Sequence, residues 1–286
     1  QCSLFKMRSE MSFSFDQLAG SGSVAIMGII NLSPDSFYVG NRCATVDEAV
    51  RNAESMVEEG AHVLDVGAES TRPGSQPIAE ETELKRLAPV VSALAKRVPV
   101  PISVDTSKPG VADRVLQEGA RIINDVTGLQ MHPEMSRVIA RRGAGVVVMH
   151  MQGAPETMQD NPRYGDVVED VLVFLRLSVE IAGSAGIAPG SIAVDPGIGF
   201  GKTLEHNLKL IGSLGRFKVL DKPVLIGVSR KSFIGKILDL TAEERLEGSL
   251  AAGVAGVING ADILRVHDVR ATVRAVRIAH AIREAG

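Results

Sequence analysis

Residues 45–66, TVDEAVRNAESMVEEGAHVLDV, contain the unit that decides the fold, an amphipathic helix followed by a short apolar strand. Thr45 and Glu48 have the S/T-x-x-E spacing of a capping box, which satisfies free N–H groups at a helix start and predicts a helix over Val46–Glu59. The apolar stripe of this helix consists of Ala49, Val50, Ala53, Met56 and Val57. The run His62–Val66 is too short for a buried helix and is predicted as a strand.

The same alternation recurs along the whole chain. Eight short β-branched runs are predicted as strands: Val24–Ile30, His62–Val66, Ile102–Val104, Ile122–Ile123, Val146–Met149, Ile192–Val194, Val224–Val228 and Ile263–Val266. Because these runs lack polar alternation, their strands are expected to be covered on both faces, which is typical of a parallel sheet shielded by helices. Eight successive units favour an α/β fold of the (β/α)8 TIM-barrel type, with an open doubly wound sheet as the alternative.

The composition favours one globular domain spanning residues 1–286, of which about 1–24 form an N-terminal extension. Hydrophobic residues make up 45% of the 286 residues and charged residues 23%, so a large core can be buried. Within the extension, Phe13–Asp16 followed by Gly20–Ser23 has the pattern of a strand and a turn. We interpret this segment as a short N-terminal β-hairpin that closes the lower end of the barrel.

Charge and cysteine content exclude several classes of function. A net charge of −3 and an aromatic content of 3% argue against a nucleic-acid partner. No apolar stretch approaches the roughly 18 residues that span a bilayer, which argues against a membrane protein. Two cysteines are too few for a disulfide scaffold of this length, and they favour a reducing cytoplasm.

Side chains capable of chemistry stand at the carboxyl end of every predicted strand, where barrels of this class carry their active sites. In chain order they are Asn31, Glu69 to Arg72, Asp105, Asn124 with Asp125, His150, Asp195, Ser229 to Ser232, and Arg265 with His267. For any single one of them, capping a helix or filling a barrel layer is an equally good interpretation. The eight strand ends together predict a site.

The acidic residues of this set predict a nitrogen-rich heterocycle as ligand. Asp105 and Asp195 at one mouth are expected to repel each other unless a ligand supplies paired donors. A carboxylate accepts two parallel N–H bonds from an amidine-like edge, and the Asn124 amide can donate or accept beside it.

The basic residues cluster after strands seven and eight and predict a phosphorylated substrate. Arg230 and Lys231 follow strand seven, and Arg265 and His267 lie at strand eight, where barrels often bind phosphate. For Arg230, a structural ion pair remains an equally good interpretation.

The glycine-rich run GIGFGKT, Gly197–Thr203, is not a Walker loop, because Pro196 occupies the position of the first Walker glycine. Its glycines predict a tight loop close to a flat ligand, with Phe200 as a wall. His150 and His267 lack spaced partners for a zinc site and are interpreted as structural. Mg²⁺ carried in with a diphosphate, held by substrate oxygens and by Asn31, is the better prediction for a metal.

These segments, taken in order, resemble the dihydropteroate synthases, the pterin-binding barrel enzymes. The matching segments are Met27–Phe37, Asp65–Gly74, Ser103–Thr106, Ile123–Asp125, Asp195–Phe200, Gly227–Phe233 and Arg265–Asp268. The resemblance implies that 6-hydroxymethyl-7,8-dihydropterin diphosphate is joined to p-aminobenzoate with release of diphosphate. It also implies Mg²⁺ as cofactor and a homodimer formed through barrel helices, with which the apolar stretch Leu250–Ile258 is compatible.

The resemblance further assigns residues to each substrate. Pterin binding is implied for Asp105, Asn124, Val126, Met149, Asp195, Phe200, Lys231 and Arg265. Binding of p-aminobenzoate is implied for Phe37, Thr71, Arg72, Pro73, Phe200 and Ser232. Diphosphate binding is implied for Asn31, Arg72, Arg265 and His267, with Mg²⁺ on Asn31. The implied catalytic set is Asp105, Lys231, Arg265 and Asn31.

Physical chemistry favours a dissociative substitution at such a site. Loss of diphosphate leaves a cationic dihydropterin, which carboxylates stabilise while positive groups stabilise the departing anion. A covalent serine intermediate is disfavoured, because Ser229 and Ser232 show no fixed partnership with a histidine and an acid.

The first loop departs from the family pattern. After Phe37 the family usually continues Ser-Asp-Gly-Gly, whereas this chain has Tyr38–Asn41, so Val39 stands in place of the loop aspartate. A catalytically impaired pterin-binding paralogue therefore remains an alternative to an active synthase. A pterin-domain methyltransferase is a further alternative, although it is not expected to contain Ser70–Gly74 or Ser229–Ser232.

Overall fold

Eight strands alternate with helices along the chain in this computed structural model, which describes residues 12–18, 24–32, 43, 45–70 and 74–285. The strands are β1 (Ala25–Asn31), β2 (Val63–Gly67), β3 (Ile102–Asp105), β4 (Ile122–Asp125), β5 (Gly145–Met149), β6 (Ile192–Asp195), β7 (Leu225–Ile226) and β8 (Ile263–Val266). The helices are α1 (Val46–Glu58), α2 (Glu80–Arg97), α3 (Pro109–Glu118), α4 (Pro133–Arg142), α5 (Val167–Ser184), α6 (Leu204–Gly212), α7 (Ser232–Leu238), α8 (Leu246–Ile258) and α9 (Val269–Ala285). Each predicted strand is confirmed, within two or three residues at either end.

The strands form a nearly closed parallel barrel rather than an open sheet. Their order is β6-β5-β4-β3-β2-β1-β8-β7, and the seven pairings between neighbouring strands are all parallel. A bridge between Val194 and Val224 joins the two ends of this series. The closed form brings the carboxyl ends of all eight strands to one mouth, as predicted.

Local sequence signals set the helix limits. At α1, Thr45 Oγ1 accepts the backbone N–H of Glu48, and the Glu48 carboxylate accepts that of Thr45, which confirms the capping box. Helix α3 begins at Pro109 and ends at Glu118, and the residue that follows it, Gly119, has φ +116°. A side chain at that glycine would place its Cβ 2.6 Å from Ala95 Cβ, so the turn into β4 requires a residue without one.

Two apolar layers hold the barrel together. The larger layer lies between the strands and the surrounding helices, and strand residues such as Val66, Val104 and Val148 are fully buried in it. The second layer fills the lower end of the barrel interior and includes Met27 and Ile122.

The N-terminal segment plugs this lower end, but the predicted strand at Phe13–Asp16 is wrong. Phe15–Gln17 forms one turn of 3-10 helix, which begins where Ser14 Oγ accepts the backbone N–H of Asp16 at 3.2 Å. Phe13 and Phe15 enter the lower apolar layer with their rings 5.0 Å apart. Apolar residues two apart share a face in a strand. The capped 3-10 turn also sends both phenylalanines into one layer, so a strand and this turn have the same sequence pattern. The predicted hairpin turn, Gly20–Ser23, lies outside the described residues.

Within the described ranges, helices long and apolar enough to cross a membrane do not occur.

Candidate active site

A half-buried arginine links acidic residues of two strands at the centre of the mouth. Arg265 of β8 donates from Nε to Asp65 Oδ2 at 2.6 Å and from Nη2 to Asp105 Oδ2 at 3.0 Å. Asn124 Nδ2 donates to the same Asp65 oxygen at 3.3 Å. The strand register explains why these side chains are neighbours, because Asp105 pairs with Gly67 on one side and with Asn124 on the other. The structure therefore brings together three of the predicted pterin residues: Asp105, Asn124 and Arg265.

The chain itself supplies Asp105 with a cationic partner, Arg265, while the expected repulsion between Asp105 and Asp195 stays a prediction. Burial raises the pKa of Asp105 to about 7, although the Arg265 guanidinium acts in the opposite direction. Burial alone would lower the pKa of Arg265, but Asp65 and Asp105 raise it above its ordinary value. A cation between two carboxylates thus offsets the cost of burying them.

Asp65 is a site residue that the sequence analysis did not assign. It is fully buried in β2, where it stands in the apolar run that was interpreted as a strand alone. A carboxylate in the middle of a buried strand is the signal that identifies it, because a buried charge requires a partner.

Three buried oxygen atoms near this cluster lack hydrogen-bond partners among the described residues. They are Asp65 Oδ1, Asn124 Oδ1 and Ser103 Oγ. A buried polar atom without a partner costs about 1–3 kcal/mol. A ligand rich in N–H donors is the kind of molecule that satisfies such oxygens, in agreement with the predicted heterocycle.

Asp195 ends β6 beside a glycine loop. Its Oδ1 accepts the backbone N–H of Gly197 at 2.7 Å. Burial raises the pKa of Asp195 to about 6, against the opposing effects of this hydrogen bond and of Lys231, Lys202 and Arg265. Near neutral pH the carboxylate form can therefore accept N–H groups from a ligand.

The loop after β6, residues 196–203, is called the β6 loop here. Its three glycines, Gly197, Gly199 and Gly201, all have positive φ. A Cβ at Gly197 would lie 1.9 Å from the carbonyl oxygen of His150, so the loop packs directly on the end of β5. Phe200 is half-buried in this loop, and Lys231 Nζ lies 4.0 Å from the centre of its ring. The predicted tight loop is confirmed, and it places Phe200 beside Lys231.

Lys202 is a second residue that the sequence analysis passed over. Its ammonium lies 2.9 Å from His150 Nδ1 and donates to the Phe200 carbonyl oxygen at 2.9 Å. Burial lowers the Lys202 pKa to about 7, and burial together with Lys202 lowers the His150 pKa to about 3. His150 is thus a neutral partner of a lysine, which agrees with its structural interpretation. In the sequence, Lys202 stands only in a run that fails the Walker spacing, and no local pattern indicates that this lysine is buried.

The strand-seven and strand-eight loops are joined by a serine and a histidine. Ser229 Oγ lies 3.0 Å from His267 Nδ1 and accepts the His267 backbone N–H at 3.2 Å. This histidine contact was not predicted, but the expectation excluded a fixed partnership with a histidine and an acid together, and it stays a prediction. Because the oxygen is buried and accepts a backbone N–H, the contact ties the two loops together and leaves the hydroxyl poorly placed as a nucleophile.

Arg230 has a structural role, which settles the choice that the sequence left open. Its Nε and Nη2 donate to the two carboxylate oxygens of Asp268 at 2.9 and 2.8 Å. Its Nη1 donates to the carbonyl oxygens of Ala242 and Glu243. The fork of this arginine fixes the strand-seven loop to the start of α9.

Lys108 and Glu69 fix the two ends of the loop after β2. Lys108 Nζ pairs with Glu69, at the start of that loop, and with Glu83 on α2 at 2.5 Å. Glu69 Oε2 also accepts the backbone N–H of Ile78, at the far end of the loop, at 3.1 Å. Glu83 is nearly fully buried, and burial raises its pKa.

The other predicted site residues are distributed as follows. Val126 and Met149 are buried at the mouth ends of β4 and β5, Asn31 is half-buried at the end of β1, and Ser232 is exposed at the start of α7. Phe37, Thr71, Arg72 and Pro73 lie outside the described residues, as does Val39. Most of the implied p-aminobenzoate residues are therefore on segments that the structure does not describe.

Over the described ranges, three or more His, Cys, Asp or Glu residues do not come together in a group that could hold a metal ion. Asn31 remains the predicted ligand, and one amide oxygen at the end of β1 is the protein donor assigned to the ion.

Comparison with known proteins agrees with this geometry. The model of the pterin binding enzyme family matches residues 27–267. A dihydropteroate synthase of Escherichia coli K12 is 46% identical over 256 residues, which are 90% of each chain. A crystal structure of the Yersinia pestis dihydropteroate synthase in complex with a sulfonamide drug has a TM-score of 0.91 and 41% identity, covering 95% of this chain and 98% of that one. The Burkholderia cenocepacia dihydropteroate synthase complexed with 7,8-dihydropteroate has a TM-score of 0.82 and 40% identity, covering 93% of each chain.

Proposed function

The chain belongs to the pterin binding enzyme family, and on that premise we propose that it catalyses the dihydropteroate synthase reaction. The reaction condenses 6-hydroxymethyl-7,8-dihydropterin diphosphate with p-aminobenzoate to give 7,8-dihydropteroate and diphosphate, a step of folate biosynthesis. The observation that carries the proposal is the buried cluster of Asp65, Asp105, Asn124 and Arg265 in a chain 46% identical to the E. coli synthase.

We assign the pterin to the strand-borne half of the mouth. Asp195, Asn124 and Asp105 accept or share the N–H groups of its edges, and Lys231 donates to its carbonyl side. Arg265 covers its face, between Val126, Met149 and Phe200. The unpartnered Asn124 Oδ1 and the half-buried Lys231 beside Phe200 support this arrangement.

The residues of the cluster suit a dissociative substitution. When the bond to diphosphate breaks, positive charge develops on the dihydropterin, and the carboxylates of Asp105 and Asp195 stabilise it. Arg265 is held by carboxylates on one side of its guanidinium, and it stabilises the departing diphosphate with His267 and Asn31. The amine of p-aminobenzoate then attacks an activated carbon, a step that needs little base catalysis.

We assign p-aminobenzoate to Phe37, Thr71, Arg72 and Pro73, together with Phe200 and Ser232. Phe200 and Ser232 follow β6 and β7 and belong to neighbouring loops of the mouth. The contacts of Lys108 and Glu69 fix the two described ends of the β2 loop, at Glu69 and Ile78, next to the residues that we assign to p-aminobenzoate.

We propose Mg²⁺ as the cofactor, bound together with the diphosphate. Amide oxygens are acceptable ligands for this ion, which commonly keeps substrate oxygens and waters as its other ligands. The half-buried amide of Asn31 fits such a site at the mouth. When bound, the ion supplies positive charge that offsets the charge of the leaving diphosphate.

The test is a diphosphate-release assay with both substrates and Mg²⁺. The proposal predicts saturable release that depends on p-aminobenzoate, with 7,8-dihydropteroate as the second product. Saturable pterin binding without release of diphosphate at any protein concentration would favour the impaired paralogue, an alternative that rests on Val39 in place of the loop aspartate. Methyl transfer to a corrinoid protein would instead favour the methyltransferase.

We also propose a homodimer in a reducing cytoplasm. Ile258 on α8 and Ile278 and Ile282 on α9 are large apolar side chains exposed on neighbouring helices, and pairing with a second copy would cover them. Cys43 is a buried free thiol, as expected in a reducing compartment. Sedimentation velocity tests the dimer: replacing Ile278 with Glu should shift the protein to monomer, and an unchanged sedimentation coefficient would contradict this face as the interface.

A further inference from the structure

The β6 loop needs attachment from outside because its own backbone provides little rigidity. Gly197, Gly199 and Gly201 all have φ between +62° and +85°, and glycine has the largest conformational freedom of any residue. A Cβ at Gly201 would lie 2.5 Å from the carbonyl oxygen of Gln152, so the loop rests on the segment after β5. This loop carries Phe200 and begins beside Asp195.

Neutral groups attach the loop at its outer positions. Tyr164 donates its hydroxyl to the Gly201 carbonyl oxygen at 2.7 Å, and Gln159 donates from Nε2 to that of Gly199 at 2.7 Å. Asn207 Oδ1 accepts the Gly199 backbone N–H at 2.6 Å. Uncharged side chains are therefore sufficient to fix glycine carbonyls and amides here.

Lys202 makes the innermost attachment, and it does so with an ammonium group. The residue is only 3% exposed, and its Nζ contacts His150 Nδ1, the His150 carbonyl oxygen and the Phe200 carbonyl oxygen. Burying an ammonium costs several kcal/mol. Because neutral groups fix the rest of the loop, the charge at this position calls for a reason beyond attachment.

The reason is the position of Asp195, which lies on the opposite side of Gly197 from Lys202. On one side, the Gly197 backbone N–H donates to Asp195 at 2.7 Å. On the other side, a Cβ built on Gly197 would lie 3.4 Å from Lys202 Nζ. One glycine therefore separates the ammonium from the carboxylate that we assign to the pterin.

We propose that Lys202 is a positioning residue for pterin binding. Its ammonium fixes the β6 loop, which carries Phe200, on the end of β5, and it supplies the positive charge that favours the carboxylate form of Asp195. This inference rests on the proposed function, since it concerns the same pterin site. Asp195 is the acceptor that touches the ligand, and Lys202 acts through it.

The electrostatics give the proposal a pH signature. The charged groups that act on Asp195 are Lys231, Lys202 and Arg265, and those that act on Lys202 are Asp195 and Lys231, with neutral His150 in contact. The pKa of Asp195 is raised to about 6 and that of Lys202 is lowered to about 7, in each case mainly by burial. Lys202 therefore favours the Asp195 carboxylate below about pH 7, and its charge is lost as the pH rises further.

The experiment measures the affinity for 6-hydroxymethyl-7,8-dihydropterin, which lacks the leaving diphosphate, by calorimetry between pH 6 and 9. The variant is Lys202→Met, and the matched control is Lys209→Met, whose ammonium is exposed and paired with Asp166. We expect Lys202→Met to bind about tenfold more weakly than the unsubstituted chain near pH 6.5, since a unit charge at this range acts through a low effective dielectric. Above pH 8.5 the difference should shrink to about threefold, the residual effect of one lost hydrogen-bond donor.

The outcomes separate this inference from its premise. A loss of affinity by the same factor at every pH would overturn the charge role and leave Lys202 as a simple attachment, and equal affinities at every pH would overturn the inference entirely. Should Lys202→Met fail to fold, Lys202→Gln keeps a neutral donor and must show the same pH-dependent loss. If the unsubstituted chain binds no pterin at any pH, the proposed function fails together with this inference.

Discussion

Replacing Asp65 with Asn tests whether a residue buried beneath the mouth controls Arg265. Asn has the shape of Asp and keeps one carbonyl oxygen for the Arg265 Nε–H, which now lies 2.6 Å from Asp65 Oδ2. A hydrogen bond that involves a charged group contributes about 1.5–3 kcal/mol; the substitution keeps the Arg265 cation but removes the charge of its partner, so we expect the hold on Arg265 to weaken by about half of that, roughly 1–1.5 kcal/mol. Arg265 keeps its second partner, Asp105.

If Arg265 must be in place when diphosphate departs, this weakening appears in the transition state. Each 1.4 kcal/mol is a factor of ten, so kcat/KM for the pterin diphosphate should fall about five- to twelve-fold. Asp113→Asn is the matched control, because Asp113 pairs with Arg141 and Arg142 on the surface, away from the mouth. Its kcat/KM should equal that of the unsubstituted chain.

The pH profile gives a second readout with a definite sign. Burial is the main cause that raises the pKa of Asp105 to about 7; Arg265 opposes the shift, and Asp65, Glu83 and Asp125 contribute to it. Removing the Asp65 charge therefore lowers the pKa of Asp105, so an acidic limb of kcat/KM that reports Asp105 should move to lower pH. The reasoning is refuted if kcat/KM stays within twofold of the unsubstituted chain and the acidic limb does not move.

Three further substitutions test separate parts of the site. Asp195→Ala should abolish pterin binding in calorimetry, because ligand donors lose their acceptor, and unchanged affinity would mean that the pterin lies elsewhere. Gly197→Ala should lower the free energy of unfolding in urea by about 2 kcal/mol or more, since its φ is +70° and the new Cβ meets the His150 carbonyl, whereas Gly212→Ala, with open space around it, should lie within about 0.5 kcal/mol of the unsubstituted chain. Val39→Asp should raise turnover more than affinity for p-aminobenzoate, and no change in either constant would make that loop position irrelevant.

The barrel was predictable because its signals are local. Each strand is a short β-branched run, and each carboxyl end is the point where such a run meets a polar residue, so periodicity alone places Asp105, Asn124 and Asp195 at one edge. The predicted meeting of these residues with Arg265 needed only the rule that parallel strands end together.

The site residues that the sequence did not indicate, Asp65 and Lys202, contact other residues of the site. Asp65 stands within a strand and Lys202 within a loop, and neither occupies a strand end. Their roles arise from contacts with residues 200 and 52 positions away in the chain, Arg265 and His150, which no local pattern encodes. The contact of Ser229 with His267 escaped prediction for the same reason, since it joins loops of two strands.

At this mouth, cations lie beside or behind the acidic residues. A net charge of −3 says little about this arrangement, because the acids and bases are paired by position. Arg265 lies between Asp65 and Asp105, and Lys202 lies behind Asp195. Each carboxylate that we assign to the pterin therefore has a cation beside or behind it, half-buried for Arg265 and buried for Lys202. The cation helps to keep the carboxylate ionised in a site that would otherwise favour its neutral form. An ionised acceptor is what a developing dihydropterin cation requires, so under the proposed function we expect these cations to promote catalysis by preserving the negative charge that faces the ligand.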